Sequence, residues 1–306
     1  MVLLLQYTLT FASVLILVAL GGCFSEHSGV INLGLEGVMI MGALGGALAM
    51  RYLPSDTSTL LMIVVVLLAA AVLGTIYSSL LAVACINFKA DQTIVGTALN
   101  MLGTAGATVI VKAINTAANP DDVSSTIQYA GAKKAFLVNI GSFEFSWFML
   151  VTLLLLIAAY VVLYKTRFGL RLMACGEHPQ AADSVGINVY KMRYAGVTIS
   201  GALAGMGGFV YAMTTANCSS NGDVAGFGFL ALAVMIFGNW RPLNIAGASL
   251  LFGLFKCIAA AYSSIDINGD GVYWLAEIGI SSHLYRMLPY IITLLVLAFT
   301  SKKSRA

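Results

Sequence analysis

Two constellations in this chain have residue types and spacings that could do chemistry. The run DINGDGVYWLAE, residues 266–277, fits the calcium-loop pattern D-x-[DN]-x-[DN]-G-x5-E throughout. Asp266, Asn268 and Asp270 take the first, third and fifth ligand positions, and Gly271 makes the turn. The carbonyl of Val272 serves the seventh position, and Glu277 closes the loop as a bidentate ligand. Oxygen donors at that spacing suit a hard cation such as Ca2+. Trp274 departs from the pattern, because it stands where a polar or water-bearing residue is usual. The competing reading is an acidic turn in which Asn-Gly and Asp-Gly make the bend. Extracellular calcium modules bind weakly, with Kd roughly 10⁻⁴–10⁻³ M.

The second constellation is a set of polar groups inside apolar runs: Asn32, Glu36, Asn100 and Lys112. Such groups are costly in lipid unless they face a cavity or a partner. Glu36 follows Asn32 by four residues, so the two share a face if the segment is helical. One reading lines a path for a neutral, hydroxyl-rich solute with these groups. The other makes them interhelical hydrogen bonds that hold a bundle together. Glu36 could also relay protons in a secondary transporter driven by an ion gradient. Around them lies SEHSGVINLGLEG, residues 25–37, with Glu26, His27 and several glycines between two apolar runs. It reads as a break at membrane depth, which lipid tolerates only where protein or a cavity surrounds it.

Other chemistries lack their residues. No GxxxxGK[ST] phosphate loop occurs. His27, His178 and His283 are far apart and not at metal-ligand spacing, and no Ser/His/Asp or HExxH arrangement stands out. An enzyme is therefore not expected. The five cysteines show no CxxC spacing and read as small apolar side chains. ALGGC at 19–23 has the look of a lipoprotein cleavage site, but no Lys or Arg precedes it.

The elements that must position these residues are apolar helices. The chain has 306 residues, 59% hydrophobic and 9% charged, against roughly 25% charged in soluble domains. A soluble surface cannot be built from that composition, and the apolar runs are continuous rather than alternating. The fold class is therefore an all-α polytopic membrane protein forming a single domain over 1–306. About 8–10 transmembrane helices are expected, with one or two broken or re-entrant segments. The spans fall near 2–22, 33–50, 59–86, 93–112, 146–164, 194–215, 228–240, 243–262 and 285–300. The short run 228–240 reads as a half-helix paired with the next. The net charge of +3 concerns topology here, not nucleic acid. Lys165, Arg167, Arg171, Lys191 and Arg193 put loop 165–193 in the cytoplasm, and Lys302, Lys303 and Arg305 put the C-terminus there too. Loops 113–145 and 263–284 then lie outside. MGALGGALA (41–49) and SGALAGMGG (200–208) look alike; they mark either two structural halves or two glycine-rich packing faces.

The cytoplasmic loop contains its own device. Glu177 and His178 precede Pro179, and proline suits the first turn of a helix. QAADS continues that helix, and Gly186 suits its end. Ala181 and Ala182 would permit close approach. Such a capped helix on the membrane face is either a docking knob or an ordinary loop.

Four separated segments resemble one family. TRFGLRLMACGEHPQAADSVGINV, SEHSGVINLGLEGVMIMGAL, ADQTIVGTALNML and AGFGFLALAVMIFGNWRP are similar, in order, to the permease subunits of ABC importers of the simple-sugar and nucleoside branch. The SGVINLGLEG form is closer to the nucleoside-type members than to the sugar-type ones, whose segment reads like GIDLSVG. The resemblance implies a permease of the bacterial inner membrane, binding no cofactor itself. ATP would be bound by a cytoplasmic ATPase subunit. A second permease subunit, identical or different, would complete the pore, and an extracytoplasmic binding protein would deliver solute. Glu177, Pro179, Ala181, Ala182 and Gly186 would form the coupling helix to the ATPase. A sugar permease is the alternative substrate reading.

Overall fold

A computed structural model describes residues 2–54, 57–128, 136–140, 143–216, 219–220 and 222–261, with isolated positions between 284 and 294. The calcium-like run 266–277, the last expected span and the basic tail lie outside the described residues, apart from those positions.

The chain is a helical bundle with ten α-helices among the described residues. They are α1 Val2–His27, α2 Leu35–Tyr52, α3 Thr59–Ala82, α4 Gln92–Ala118, α5 Trp147–Lys165, α6 Arg167–Glu177, α7 Pro179–Ser184, α8 Val189–Thr214, α9 Phe227–Phe237 and α10 Pro242–Ala261. A π-helical turn, Val83–Asn87, lengthens α3. Among the described residues, six helices are long and apolar enough to cross a membrane. α9 is apolar but too short to do so, as a half-helix would be. Most observed bounds fall near the expected spans, but α4 runs six residues past 112 to Ala118, so the segment after it is shorter than 113–145. Asp91 caps α4 by accepting from the amides of Thr93 and Ile94, which hold its carboxyl below the usual carboxylate range.

Helix α1 sits at the centre, packed against α5, α8, α9 and α10, while α8 packs also against α2 and α3. Nearly all of α1 and most of α8 are enclosed, whereas α3, α4, α5 and α10 are enclosed over only 28% to 33% of their spans. Those four form the rim. Where α2, α3 and α8 cross, glycine replaces side chain. A Cβ on Gly205 would lie 2.5 Å from the carbonyl of Ala70, and one on Gly42 or Gly74 would strike the backbone of α8. MGALGGALA and SGALAGMGG are therefore opposed faces of one close crossing, as glycine allows in lipid-embedded bundles.

Lys89, Lys165, Arg167, Arg171, Lys191, Arg193 and Arg241 gather at the end that carries α6 and α7. The opposite end has a hairpin of β2 Leu137–Ile140 and β3 Phe143–Ser146, and a two-residue pairing of β1 Ile127–Gln128 with β4 Ser219–Ser220. In the expected loop 165–193 the structure adds α6, an eleven-residue helix missing from the sequence reading. Gly169 lets it fold back on α5, because a Cβ there would meet the carbonyls of Val162 and Leu163. α7 has Pro179 in its first turn and ends near Gly186, whose φ is +82°.

Candidate functional site

The break is shorter than its polarity suggests. Glu26 and His27 still belong to α1, and α2 begins at Leu35, so only Ser28–Gly34 is irregular. Cys23 and His27 both approach the carbonyl of Trp240, at 3.2 and 3.1 Å. That carbonyl belongs to the turn joining α9 to α10, where Asn239 and Trp240 both adopt positive φ. Cys23 is therefore a structural residue within an intact helix.

The amides of Ser28, Gly29 and Val30 turn back onto carbonyls of α1, and several further backbone groups of the break find side chains. Ser25 donates its hydroxyl to the carbonyl of Val30 at 2.6 Å. Gln92 accepts from the amide of Ile31 at 2.8 Å. Asn32 accepts from the amide of Gly34 and donates to the hydroxyls of Ser200, at 3.0 Å, and Ser78, at 3.5 Å. Asn100 bridges the break and α2: its Oδ1 accepts from the amide of Gly37 and its Nδ2 donates to the carbonyl of Leu33. Asn100 is eight residues into α4, about 12 Å from its start at 1.5 Å per residue. The break thus descends from the level of Gln92, the first residue of α4, to that of Asn100 inside the bundle, where orphaned groups must be paired.

Glu36 does the same for another element. Its carboxylate accepts from the amides of Gly226, Gly228 and Phe229 at 2.8, 2.7 and 3.3 Å. Those are free N–H groups at the start of α9, whose own cap, Gly226, has no side chain to offer. A carboxylate at a helix N-terminus is favoured by both hydrogen bonding and the helix dipole. Gly226 needs its φ of +74°, and Gly228 must lack a side chain because a Cβ would sit 2.5 Å from the Glu36 amide nitrogen. The AGFGF segment is thus shaped around one carboxylate.

Beside this pinned junction lies an open groove of about 760 Å³, lined by α4 on one side and by Glu36 and Phe229 on the other. α4 contributes Thr97, Asn100, Met101, Thr104 and Thr108. Of the pathway candidates from the sequence, Glu36 and Asn100 border this groove, whereas Asn32 is buried against Ser78 and Ser200 and does not; the threonine stripe and Phe229 were not singled out by sequence reasoning. Lys112, one turn beyond Thr108 on α4, is exposed. Sequence reasoning also missed Lys256 in α10, a lone cation in LFGLFKCIAAA. Its ammonium lies 4.7 Å from the ring of Phe227, the first residue of α9, and 5.9 Å from that of Tyr290.

At the basic end, Glu177, Ala181 and Gly186 are exposed and Pro179 is partly so. Ala182 is buried against the chain's own fold, so it is not free for a partner's close approach. Burial pushes the Cys175 thiol of α6 above its ordinary value, with Arg193 opposing. A Cβ on Gly176 would strike the carbonyl of His27 and come within 3.2 Å of the Gly29 nitrogen. α6 therefore touches the break backbone to backbone.

The sequence pattern of the family described as branched-chain amino acid transport system / permease component matches residues 4–297. The chain belongs to this permease family. It is similar to the guanosine ABC transporter permease protein NupQ of Bacillus subtilis, 41% identical over 95% of this chain and 89% of that one. It is also similar to the nucleoside ABC transporter permease protein NupC of Lactococcus lactis, 37% identical over 97% of this chain and 92% of that one. A third relative, TsgC13 of Haloferax volcanii, is 30% identical over 97% of this chain and 91% of that one, and its name provisionally assigns it to glucose. The permease is a multi-pass membrane protein, a transport subunit rather than a catalytic one.

Proposed function

We propose that this permease is the transmembrane subunit of an ATP-driven importer of nucleosides, with the groove between α4 and the start of α9 forming part of the solute path. One observation carries the reading: the groove opens at membrane depth beside a half-helix, and its lining is mostly apolar with a few polar points. A nucleoside has an aromatic face to lay on such walls. A simple sugar carries hydroxyls on every side, and apolar walls would leave them unpaired. The names of NupQ and NupC support the same solute class.

The basic end is assigned to the cytoplasm of a bacterial inner membrane, and the basic residues Lys302, Lys303 and Arg305 assign the C-terminus to the same side. An ATP-binding subunit docks on it, a second permease subunit, identical or different, completes the pore, and an extracytoplasmic binding protein delivers the solute. α7, with exposed Glu177, Ala181 and Gly186 around it, is the coupling element; Ala182 anchors it from within. Movement of α6 is passed to the break through the contact of Gly176 with His27 and Gly29. Glu36 is a poor proton relay in this arrangement, because three amides engage its two oxygens. The loop at 266–277 remains a proposed calcium site on the outer face, tested by the thermal midpoint with calcium against chelator.

The test of the main reading is uptake by the assembled transporter in liposomes. Labelled guanosine should enter with ATP inside and persist when ionophores collapse the proton gradient. Uptake of ribose or glucose without any nucleoside uptake would reassign the solute. Uptake driven by the proton gradient without ATP would reassign the class.

A further inference from the structure

Resting on the nucleoside reading above, the geometry points to a specificity device: the α4 stripe offers hydrogen-bond acceptors without matching donors, and so favours nucleosides whose base carries an exocyclic amino group. A threonine hydroxyl has one proton and two lone pairs. The Thr97 hydroxyl donates to the Thr93 carbonyl at 2.8 Å, Thr104 to Asn100 at 3.2 Å and Thr108 to Thr104 at 2.8 Å. Each proton is thus turned back into the helix, and the groove receives only lone pairs. An ionised Glu36 is an acceptor alone. Asn100 has one amide hydrogen in use, to Leu33, and its oxygen engaged by Gly37. Among the described lining residues the polar groups are therefore mostly acceptors, with the second Asn100 hydrogen as the remaining side-chain donor.

The rest of the groove suits the flat part of such a solute. Phe229 is 53% exposed and Met101 is 71% exposed, and both line the groove. An aromatic side chain is a stacking platform for any base, so Phe229 supplies general affinity for bases. Selection among bases falls to Thr104 and Thr108, whose lone pairs are satisfied by an amino group and not by a carbonyl.

Guanosine and inosine differ only in that amino group. The experiment measures ATP-driven uptake of each by the complete reconstituted transporter, at saturating solute-loaded binding protein so that delivery does not set the rate. The wild-type protein is expected to move guanosine faster than inosine. Replacing both threonines, Thr104→Val and Thr108→Val, keeps shape and removes the lone pairs; the guanosine-to-inosine ratio should fall about fivefold. Thr104→Ser with Thr108→Ser keeps the hydroxyls and should restore it, which a purely structural role would not predict. Single Thr104→Val serves if the double variant fails to insert. Phe229→Leu should slow both solutes without changing the ratio. An equal ratio in wild-type and valine variants would overturn the inference while leaving the nucleoside reading intact. Transport of sugar but of neither nucleoside would overturn both.

Discussion

Asn32, Glu36 and Asn100 are polar residues inside the bundle, and Thr97, Thr104 and Thr108 are polar residues along the groove, yet the two sets differ in where their hydrogen bonds go. The first set is bound to backbone that cannot pair with itself: the break after α1, the entry to α2 and the start of α9. The second set is bound to its own helix, which needs no help. Removing a member of the first set leaves buried backbone groups unpaired. Removing a member of the second set changes only what the groove presents. Polarity at membrane depth is thus two different devices here, one that permits an irregular fold and one that faces a cavity.

The sharpest way to break that comparison is at Glu36. Glu36→Ala removes a charged acceptor from three amides, and should cost more than about 3 kcal/mol of stability, read as a fall in the thermal midpoint in detergent. Glu36→Gln keeps one acceptor oxygen and should fall between. If Glu36→Ala melts like the wild-type protein and loses transport alone, Glu36 belongs with the groove and not with the pins. Asn32→Leu should follow at about 1–3 kcal/mol, since it leaves the Gly34 amide without its acceptor. Gly205→Ala probes the crossing that supports both sets; its Cβ would crowd the Ala70 carbonyl, a cost of about 1–3 kcal/mol.

Smaller in stability but larger in mechanism is Gly176→Ala, which pries α6 from the break at His27. The expected result is ATP hydrolysis that continues while uptake drops, measured together on one preparation. Unchanged coupling would show that the contact transmits nothing. The smallest stability change belongs to Thr104→Val and Thr108→Val, within about 0.5 kcal/mol, because the helix around them keeps its own hydrogen bonds. A large loss of stability there would erase the distinction between the two sets.

Much of the fold is legible in the residues. Continuous apolar runs over about 20 residues give the spans, and the proline and glycine around QAADS bound α7 where it is found. α6 escaped because a helix rich in Arg and Gly has no long apolar run to mark it. Lys256 escaped because the surrounding run is apolar enough to mask one charge. The polar residues at the break were visible as types, and their partners were not.

The sequence by itself determined that the chain is a membrane-embedded helical protein, because composition and run length leave lipid as the only solvent that fits. It also determined where the chain cannot be a plain helix, since Gly29, Asn32 and Gly34 stand together between two apolar runs. Only the tertiary structure decided what Glu36 and Asn100 do. Their partners, Gly226, Gly228 and Phe229 for one and Leu33 and Gly37 for the other, are up to 193 residues away in the chain. Hydrogen bonds are short and directional, so residue type announces the need for a partner and packing alone supplies it.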